Sequence, residues 1–231
     1  MTNPLFVALD TVDAEAARDL ASELAPYIGG LKLGLEFFAA NGPAGVAAIA
    51  RLGLPLFLDL KLHDIPNTVG KAVAALAALA PAILTVHAAG GRAMLEAAKA
   101  AAPPATRVVA VTVLTSLDRS DLEAIGVGAD AGEQVQRLAM LARASGVDGI
   151  VCSGAELSEA RRIWPEGFFV VPGIRPGGLA DGDQKRVMAP REACDAGASA
   201  LVVGRPITAA ADPVEAARSI AASLQLDSAT A

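Results

Sequence analysis

The sequence predicts an α/β chain folded as a single (β/α)8 TIM barrel. Three observations carry that expectation. Eight short apolar runs recur along the chain, most of them continuous rather than alternating, as strands buried on both faces of a parallel sheet must be. Most are followed by a helical stretch, with no composition break that would mark a linker. The polar residues gather where those runs end, the edge on which such barrels build their sites. At 231 residues the chain also has the length of one undivided barrel.

The first strand is expected over residues 5–10, with a helix over 13–24. The second strand covers 30–35 and leads into a helix ending near 51. The third covers 55–61, with a helix over 66–79; the fourth covers 82–87, with a helix over 92–101. Strand five is read over 107–114 and its helix over 132–145. Strand six follows at 148–152, with a helix over 155–163. Strands seven and eight occupy 167–171 and 198–203, with no helix assigned between them, and a last helix runs over 212–224. Residues 1–224 are thus expected to form one domain, and the small polar tail 225–231 to fray. Strand–helix alternation also fits an open doubly wound sheet. Against that, no Gly-x-Gly-x-x-Gly follows the first strand and no Gly-x-x-x-x-Gly-Lys-[Ser/Thr] occurs anywhere.

Composition narrows the functional class. The chain is 53% hydrophobic but only 3% aromatic, so Ala, Leu and Val must pack its core. A net charge of −6 argues against a nucleic-acid partner, which would call for a basic face. Two cysteines, Cys152 and Cys194, make no disulfide framework and suit a reducing cytoplasmic setting, with buried thiols as their simplest reading. No secretory signal is expected, because the start of the chain lacks a basic region and Asp10, Asp13 and Glu15 interrupt it. Residues 72–91 carry no formal charge over the length of a membrane span. They are rich in Ala and broken by Pro81 and His87, so a helix followed by a buried strand explains them better and no membrane partner is expected.

The most informative segment is Asp59-Leu60-Lys61-Leu62-His63-Asp64-Ile65-Pro66-Asn67-Thr68. In a strand, Asp59 and Lys61 share one face while Leu58 and Leu60 take the other. A lysine between Asp59 and Asp64 is favoured in its charged form, which makes it a poor nucleophile and a good proton donor. Lys32 lies in the second strand and Asp10 ends the first. Lysines facing into apolar strands are costly unless paired, and Asp10, Asp59 and Asp64 can pair with Lys32 and Lys61. A purely structural ion network would satisfy the same requirement. Other strand ends read less sharply. Asp10 and Ser153 also fit helix caps, Thr115 and Ser116 fit turn residues, and His87 fits a satisfied rim histidine better than a catalyst. After strands seven and eight, where these barrels commonly bind phosphate, come Pro172-Gly173-Ile174-Arg175-Pro176 with further glycines, and then Gly204-Arg205. Glycines let backbone N–H groups approach an anion, and Arg175 and Arg205 offer planar forks for its oxygens.

Together these motifs resemble the orotidine 5′-phosphate decarboxylase family. The likeness runs from Leu5 to Arg205 and includes Asp59 to Thr68, Val111-Thr112-Val113-Leu114-Thr115-Ser116, Pro172 to Pro176, Gly182-Asp183-Gln184 and Val203-Gly204-Arg205. The resemblance implies decarboxylation of a small-molecule substrate, orotidine 5′-phosphate, to UMP, with no metal and no organic cofactor. It implies that Lys61 protonates the carbon that loses CO₂, with Asp59 beside the substrate carboxylate. Asp10 and Lys32 would hold ribose hydroxyls, and Lys32 would also join the charged array. Asp64 and Thr68 would reach into the neighbouring subunit of a homodimer. Thr115 and Ser153 would meet the pyrimidine, and Ile65 and Pro172 would join the substrate-binding set. Gln184, Arg175, Gly204 and Arg205 would clamp the phosphate, Gln184 bridging it to the base.

Three rivals share parts of this pattern. Mg²⁺-dependent sugar-phosphate enzymes, 3-keto-L-gulonate 6-phosphate decarboxylase and hexulose-phosphate synthase, use the same spacing but need a carboxylate at the end of strand two, where this chain has Lys32. A Schiff-base aldolase needs a neutral lysine. An inactive barrel kept for phosphate binding would have no use for an intact charge array.

Overall fold

The protein is described by a computed structural model covering residues 3–176 and 187–224. Eight parallel strands close on themselves in chain order, so the open-sheet alternative falls. They are β1 (Leu5–Ala8), β2 (Gly30–Gly34), β3 (Leu56–Leu62), β4 (Ile83–His87), β5 (Arg107–Val111), β6 (Gly149–Val151), β7 (Phe168–Val171) and β8 (Ala200–Val203). The ring shuts where Leu5, Phe6 and Val7 pair with Leu201, Val202 and Val203. Around it lie α1 (Ala14–Leu24), α2 (Leu35–Ala50), α3 (Pro66–Leu76), α4 (Arg92–Ala101), α5 (Arg119–Ala124), α6 (Ala131–Ala144), α7 (Gly154–Ile163), α8 (Pro190–Asp195), α9 (Arg205–Thr208) and α10 (Pro213–Leu224).

Side-chain alternation sorts each strand between two cores. Phe6, Phe57, Ile83, Val109, Val170 and Ala200 point inward and plug the barrel, with Phe6 and Phe57 meeting edge to face at 6.2 Å. Leu5, Val7, Leu31, Leu33, Leu58, Leu84, Val108, Phe169 and Leu201 belong to the outer layer, packed with helix residues such as Ala17, Ala21, Val73, Leu95 and Ala98. Both faces of the sheet are therefore dry, which is why the strands read as continuous apolar runs. The same alternation that sends Phe57 inward sends Asp59 inward, and Leu31 and Leu33 facing out leave Lys32 facing in.

Helix starts follow local chemistry. Asp13 caps α1 by accepting from the N–H groups of Glu15 and Ala16, and Asp130 caps α6 by accepting from Glu133. α2 is interrupted at Gly42, whose φ of 58° only glycine adopts cheaply, just before Pro43. The charge-free stretch 72–91 is the end of α3, two short 3₁₀ turns and β4. No helix among the described residues is long and apolar enough to cross a membrane.

Several elements depart from expectation, among them β1, which ends two residues early at Ala8, and the short helix α9, which was not expected. β5 ends at Val111, three residues early; the Thr112 N–H makes the last ladder bond to the Val151 carbonyl, and the Thr112 hydroxyl donates to the same oxygen. The apolar Val113 and Leu114 then line a cavity instead of a sheet. α5 was not expected, although Asp118 and Asp121 bracket its start as a reciprocal capping pair. α8, between β7 and β8, starts on Pro190 with Glu192 accepting from the Ala189 N–H. The tail 225–231 and Gln184, with its neighbours Gly182 and Asp183, lie outside the described residues.

Candidate active site

A cavity of about 510 Å³ opens at the C-terminal ends of the strands, floored by Phe57 and Val170 of the barrel plug. Every strand but β4 sends a residue of its own into the lining. The walls divide by chemistry. Asp10, Lys32, Asp59 and Lys61 form a charged sector above β1 to β3. Val111, Val113, Leu114, Val151 and Cys152 form an apolar wall with Thr115 at its rim. Pro172, Gly173, Arg175, Gly204 and Arg205 form a glycine-rich cationic sector above β7 and β8.

The charged sector is one chain of alternating sign. Asp10 Oδ1 lies 2.9 Å from Lys32 Nζ, Lys32 Nζ lies 3.7 Å from Asp59 Oδ2, and that same oxygen lies 2.7 Å from Lys61 Nζ. Side-chain exposure is 9% for Lys32 and 14% for Asp59, against 32% for Lys61 and 51% for Asp10. The inner pair is thus the buried anchor, and Lys61 is the member that presents its ammonium to the cavity. Burying two ions is tolerable here because each has an opposite charge within contact and further hydrogen bonds.

Gly34 makes room for this chain. A Cβ there would sit 3.0 Å from Lys32 Nζ and 3.1 Å from Asp10 Oδ1. Its φ of −97° suits any residue, so the constraint is space alone. Gly34→Ala should therefore leave thermal unfolding nearly unchanged while lowering kcat/KM by about 10-fold, by displacing the ammonium a few tenths of an ångström. Equal kinetics in both proteins would refute it.

The third strand does not run regularly through its charged residues. Plain alternation was expected to place Lys61 on the Asp59 face. Lys61 does meet Asp59, yet it has φ 48°, and the pairing of β3 with β4 shifts between Leu58 and Leu62. Asp64 is exposed beyond the strand and accepts from the Ile65 N–H at 2.6 Å. No ion pair joins it to Lys61, and among the described residues Asp59 is the ion-pair partner of Lys61. Ile65 and Thr68 are also exposed, and neither lines the cavity.

At β6 the expected residue and the one that lines the cavity are neighbours. Ser153 is buried, and both its N–H and its hydroxyl are directed at Glu156 as the cap of α7. It is Cys152, one residue earlier, that lines the cavity. Burial of Cys152 was foreseen and its place in the wall was not. Glu36, at the start of α2, also lines the cavity without having been singled out. In the cationic sector, Arg175 pairs its backbone N–H with the Met188 carbonyl. Its Nε is buried without a hydrogen-bond partner among the described residues, an unmet donor in the cationic sector.

The two histidines stack on each other at the ends of β3 and β4, His63 and His87 ring centroids 5.2 Å apart, outside the cavity lining. Burial, then His63, then Lys61 hold His87 below its ordinary titration range. Its Nδ1 accepts from the Ala89 N–H, which requires the neutral ring. The unfolded chain takes up a proton near pH 6.5 while the folded form resists. The stabilisation from His87 is therefore complete above that pH and lost as pH falls toward the lowered folded value. Thermal unfolding of wild type should weaken from pH 7.5 to pH 5 more than that of His87→Gln; parallel curves would contradict this.

Comparison with known proteins agrees with this geometry. Residues 3–220 match the family described as Orotidine 5'-phosphate decarboxylase / HUMPS family. A protein of Sphingopyxis alaskensis named orotidine 5'-phosphate decarboxylase is 63% identical over 97% of this chain and all of its own length. One of Erythrobacter litoralis with the same name is 58% identical over the same shares. The crystal structure of orotidine 5'-phosphate decarboxylase from Lactobacillus acidophilus superposes with a TM-score of 0.85 at 37% identity, covering 97% of this chain and all of that one. The match spans the barrel from β1 to the last helix, and by it this chain belongs to the orotidine 5′-phosphate decarboxylase / HUMPS family.

Proposed function

We propose that this chain decarboxylates orotidine 5′-phosphate to UMP and CO₂, a carboxy-lyase step of pyrimidine biosynthesis. The observation that carries the reading is the alternating chain Asp10–Lys32–Asp59–Lys61, with the Lys61 ammonium facing a cavity that also has a glycine-rich cationic sector above β7 and β8. The names of relatives above 50% identity over nearly the whole chain support it.

Loss of CO₂ from the ring leaves an electron pair in the ring plane, where the π system cannot take it up. The rate must come from charge already in place beside that carbon and from a proton delivered to it. Lys61 would supply both, with Asp59 holding its ammonium at 2.7 Å; Asp59 would then lie beside the departing carboxylate. Asp10 and Lys32 would receive ribose hydroxyls, and Thr115, with Ser153 behind the wall, would serve the pyrimidine end. Pro172, Arg175, Gly204, Arg205 and Gln184 would receive the phosphate, whose binding energy orients the reacting carbon from a distance. A sugar-phosphate enzyme holding Mg²⁺ would need a carboxylate where this chain has Lys32, an ammonium already fixed between Asp10 and Asp59.

We read residues 1–224 as one catalytic domain, acting in the cytoplasm as a homodimer. The exposure of Asp64, Ile65 and Thr68 just beyond the Lys61 strand supports a shared site, because a second copy can cover them. Ile65 is a large apolar side chain left 65% exposed. The deciding experiment is ultraviolet-monitored loss of orotidine 5′-phosphate by the pure protein in EDTA, with product identified as UMP. Inertness toward this substrate would sink the reading, and activity abolished by EDTA alone would favour the Mg²⁺ relatives.

A further inference from the structure

β4 is the one strand with no residue in the cavity lining, yet it touches the charged array from behind. β3 and β4 pair at Leu58 with Leu84 and again at Leu62 with Val86, four steps along one strand against two along the other. The surplus lies at Asp59, Leu60 and Lys61, and the left-handed backbone of Lys61 belongs to it. On β4, Thr85 is the single residue between those two pairings. Its side chain is fully buried.

The Thr85 hydroxyl accepts from the Lys61 backbone N–H at 2.9 Å. It lies 3.0 Å from Asp59 Oδ1. An N–H can only donate, so the single hydroxyl proton is left for the carboxylate. The bulge takes the Lys61 N–H out of the regular ladder, and the threonine oxygen supplies the acceptor that the partner strand no longer offers. The proton occupies Oδ1 of Asp59 and leaves Oδ2 to face both ammonium groups, Lys61 at 2.7 Å and Lys32 at 3.7 Å. One buried hydroxyl thus sets the backbone from which Lys61 springs and the rotation of the carboxylate it must meet.

We propose that Thr85 is a positioning residue for decarboxylation, holding Lys61 and Asp59 in register through the β3 bulge. This rests on the reading of Lys61 as proton donor. A hydroxyl kept only to satisfy a buried N–H would affect stability alone, whereas a positioning role appears in the chemical step.

Thr85→Val keeps the shape and removes the hydroxyl. It is expected to lower kcat by about 10- to 100-fold while KM stays within ~3-fold, because the substrate's own contacts are untouched. Thr85→Ser, which keeps the hydroxyl, should stay within ~3-fold of wild type in kcat, whereas the equally small Thr85→Ala should fall with valine. In an Asp59→Asn background the valine change should cost less than it does alone, since part of its effect runs through that carboxylate. A wild-type kcat in Thr85→Val, or equal losses in Ser and Ala, would overturn the proposal. The Ser and Ala pair decides the matter should the valine variant not fold. Lys61→Ala, assayed alongside, separates the two failures: if it retains activity the functional reading falls, and if it is dead while Thr85→Val is normal only the role of Thr85 falls.

Discussion

Lys61→Ala is expected to reduce turnover of orotidine 5′-phosphate by roughly 10⁴-fold or more. The lysine combines two contributions that no neighbour can replace. Its ammonium is the more exposed of the two in the charged sector, and in the proposed reaction it carries the proton that the carbanion must receive. Lys32 cannot substitute, because it is buried between Asp10 and Asp59 with only 9% of its side chain exposed. Removing Lys61 also leaves the Asp59 carboxylate with Thr85 and the more distant Lys32 as partners, facing an anionic substrate. Affinity for UMP, which lacks the carboxylate, should change far less than kcat, as isothermal calorimetry can measure. Lys61→Arg refines the test, since guanidinium keeps the charge but does not give up a proton. Arginine should be nearly as inactive as alanine. Substantial activity in Lys61→Arg would move the role from proton delivery to charge alone, and near-normal activity in Lys61→Ala would remove the mechanism.

Arg205→Ala should lower kcat/KM by about 10²- to 10³-fold, the scale of losing one side of a desolvated charge pair. Arg205 lines the cavity beside Gly204 at the end of β8, the strand that pairs with β1, in a sector separate from the array's ammonium groups. Its effect should therefore track the phosphate and not the reacting carbon. Orotidine without its phosphate provides the control. Its much slower turnover should be nearly the same in wild type and Arg205→Ala, because the variant lacks only what that substrate cannot use. A comparable loss on both substrates would place Arg205 outside the phosphate site.

Much of the fold was legible because its signals are local. Phe57 and Asp59 face in while Leu58 faces out for the reason that alternation is built into a strand, and both faces of the sheet are dry because helices cover the outside. The cap of α1 is just as local, although it is Asp13, and not the Asp10 that the sequence offered, that accepts its first N–H groups. Other features depended on where a strand leaves its neighbour. β5 looked three residues longer than it is, since Val113 and Leu114 are as apolar on a cavity wall as in a sheet. At β6 a single residue decides whether a side chain faces the cavity or caps a helix, and Cys152 and Ser153 fall on opposite sides of that step. Thr85 did carry a sequence signal, a hydroxyl inside the apolar run Ile83-Leu84-Thr85-Val86, but its partners lie on another strand.

The sequence by itself determined the succession of eight strands along the chain, the gathering of charge at their ends and the decapeptide from Asp59 to Thr68 whose resemblance points to decarboxylation. The first two follow from residue type and periodicity and the third from resemblance to a known family, all of which a chain carries wherever it goes. Only the tertiary structure decided how the charges connect. Asp10, Lys32 and Asp59 come from three strands, so their distances depend on the register β1 and β2 share with β3. The left-handed turn at Lys61 exists because β4 is two residues shorter across the same span and Thr85 offers the missing acceptor. A strand's residues are written in its sequence, but its register belongs to the pair of strands, and that register sets the aim of Lys61.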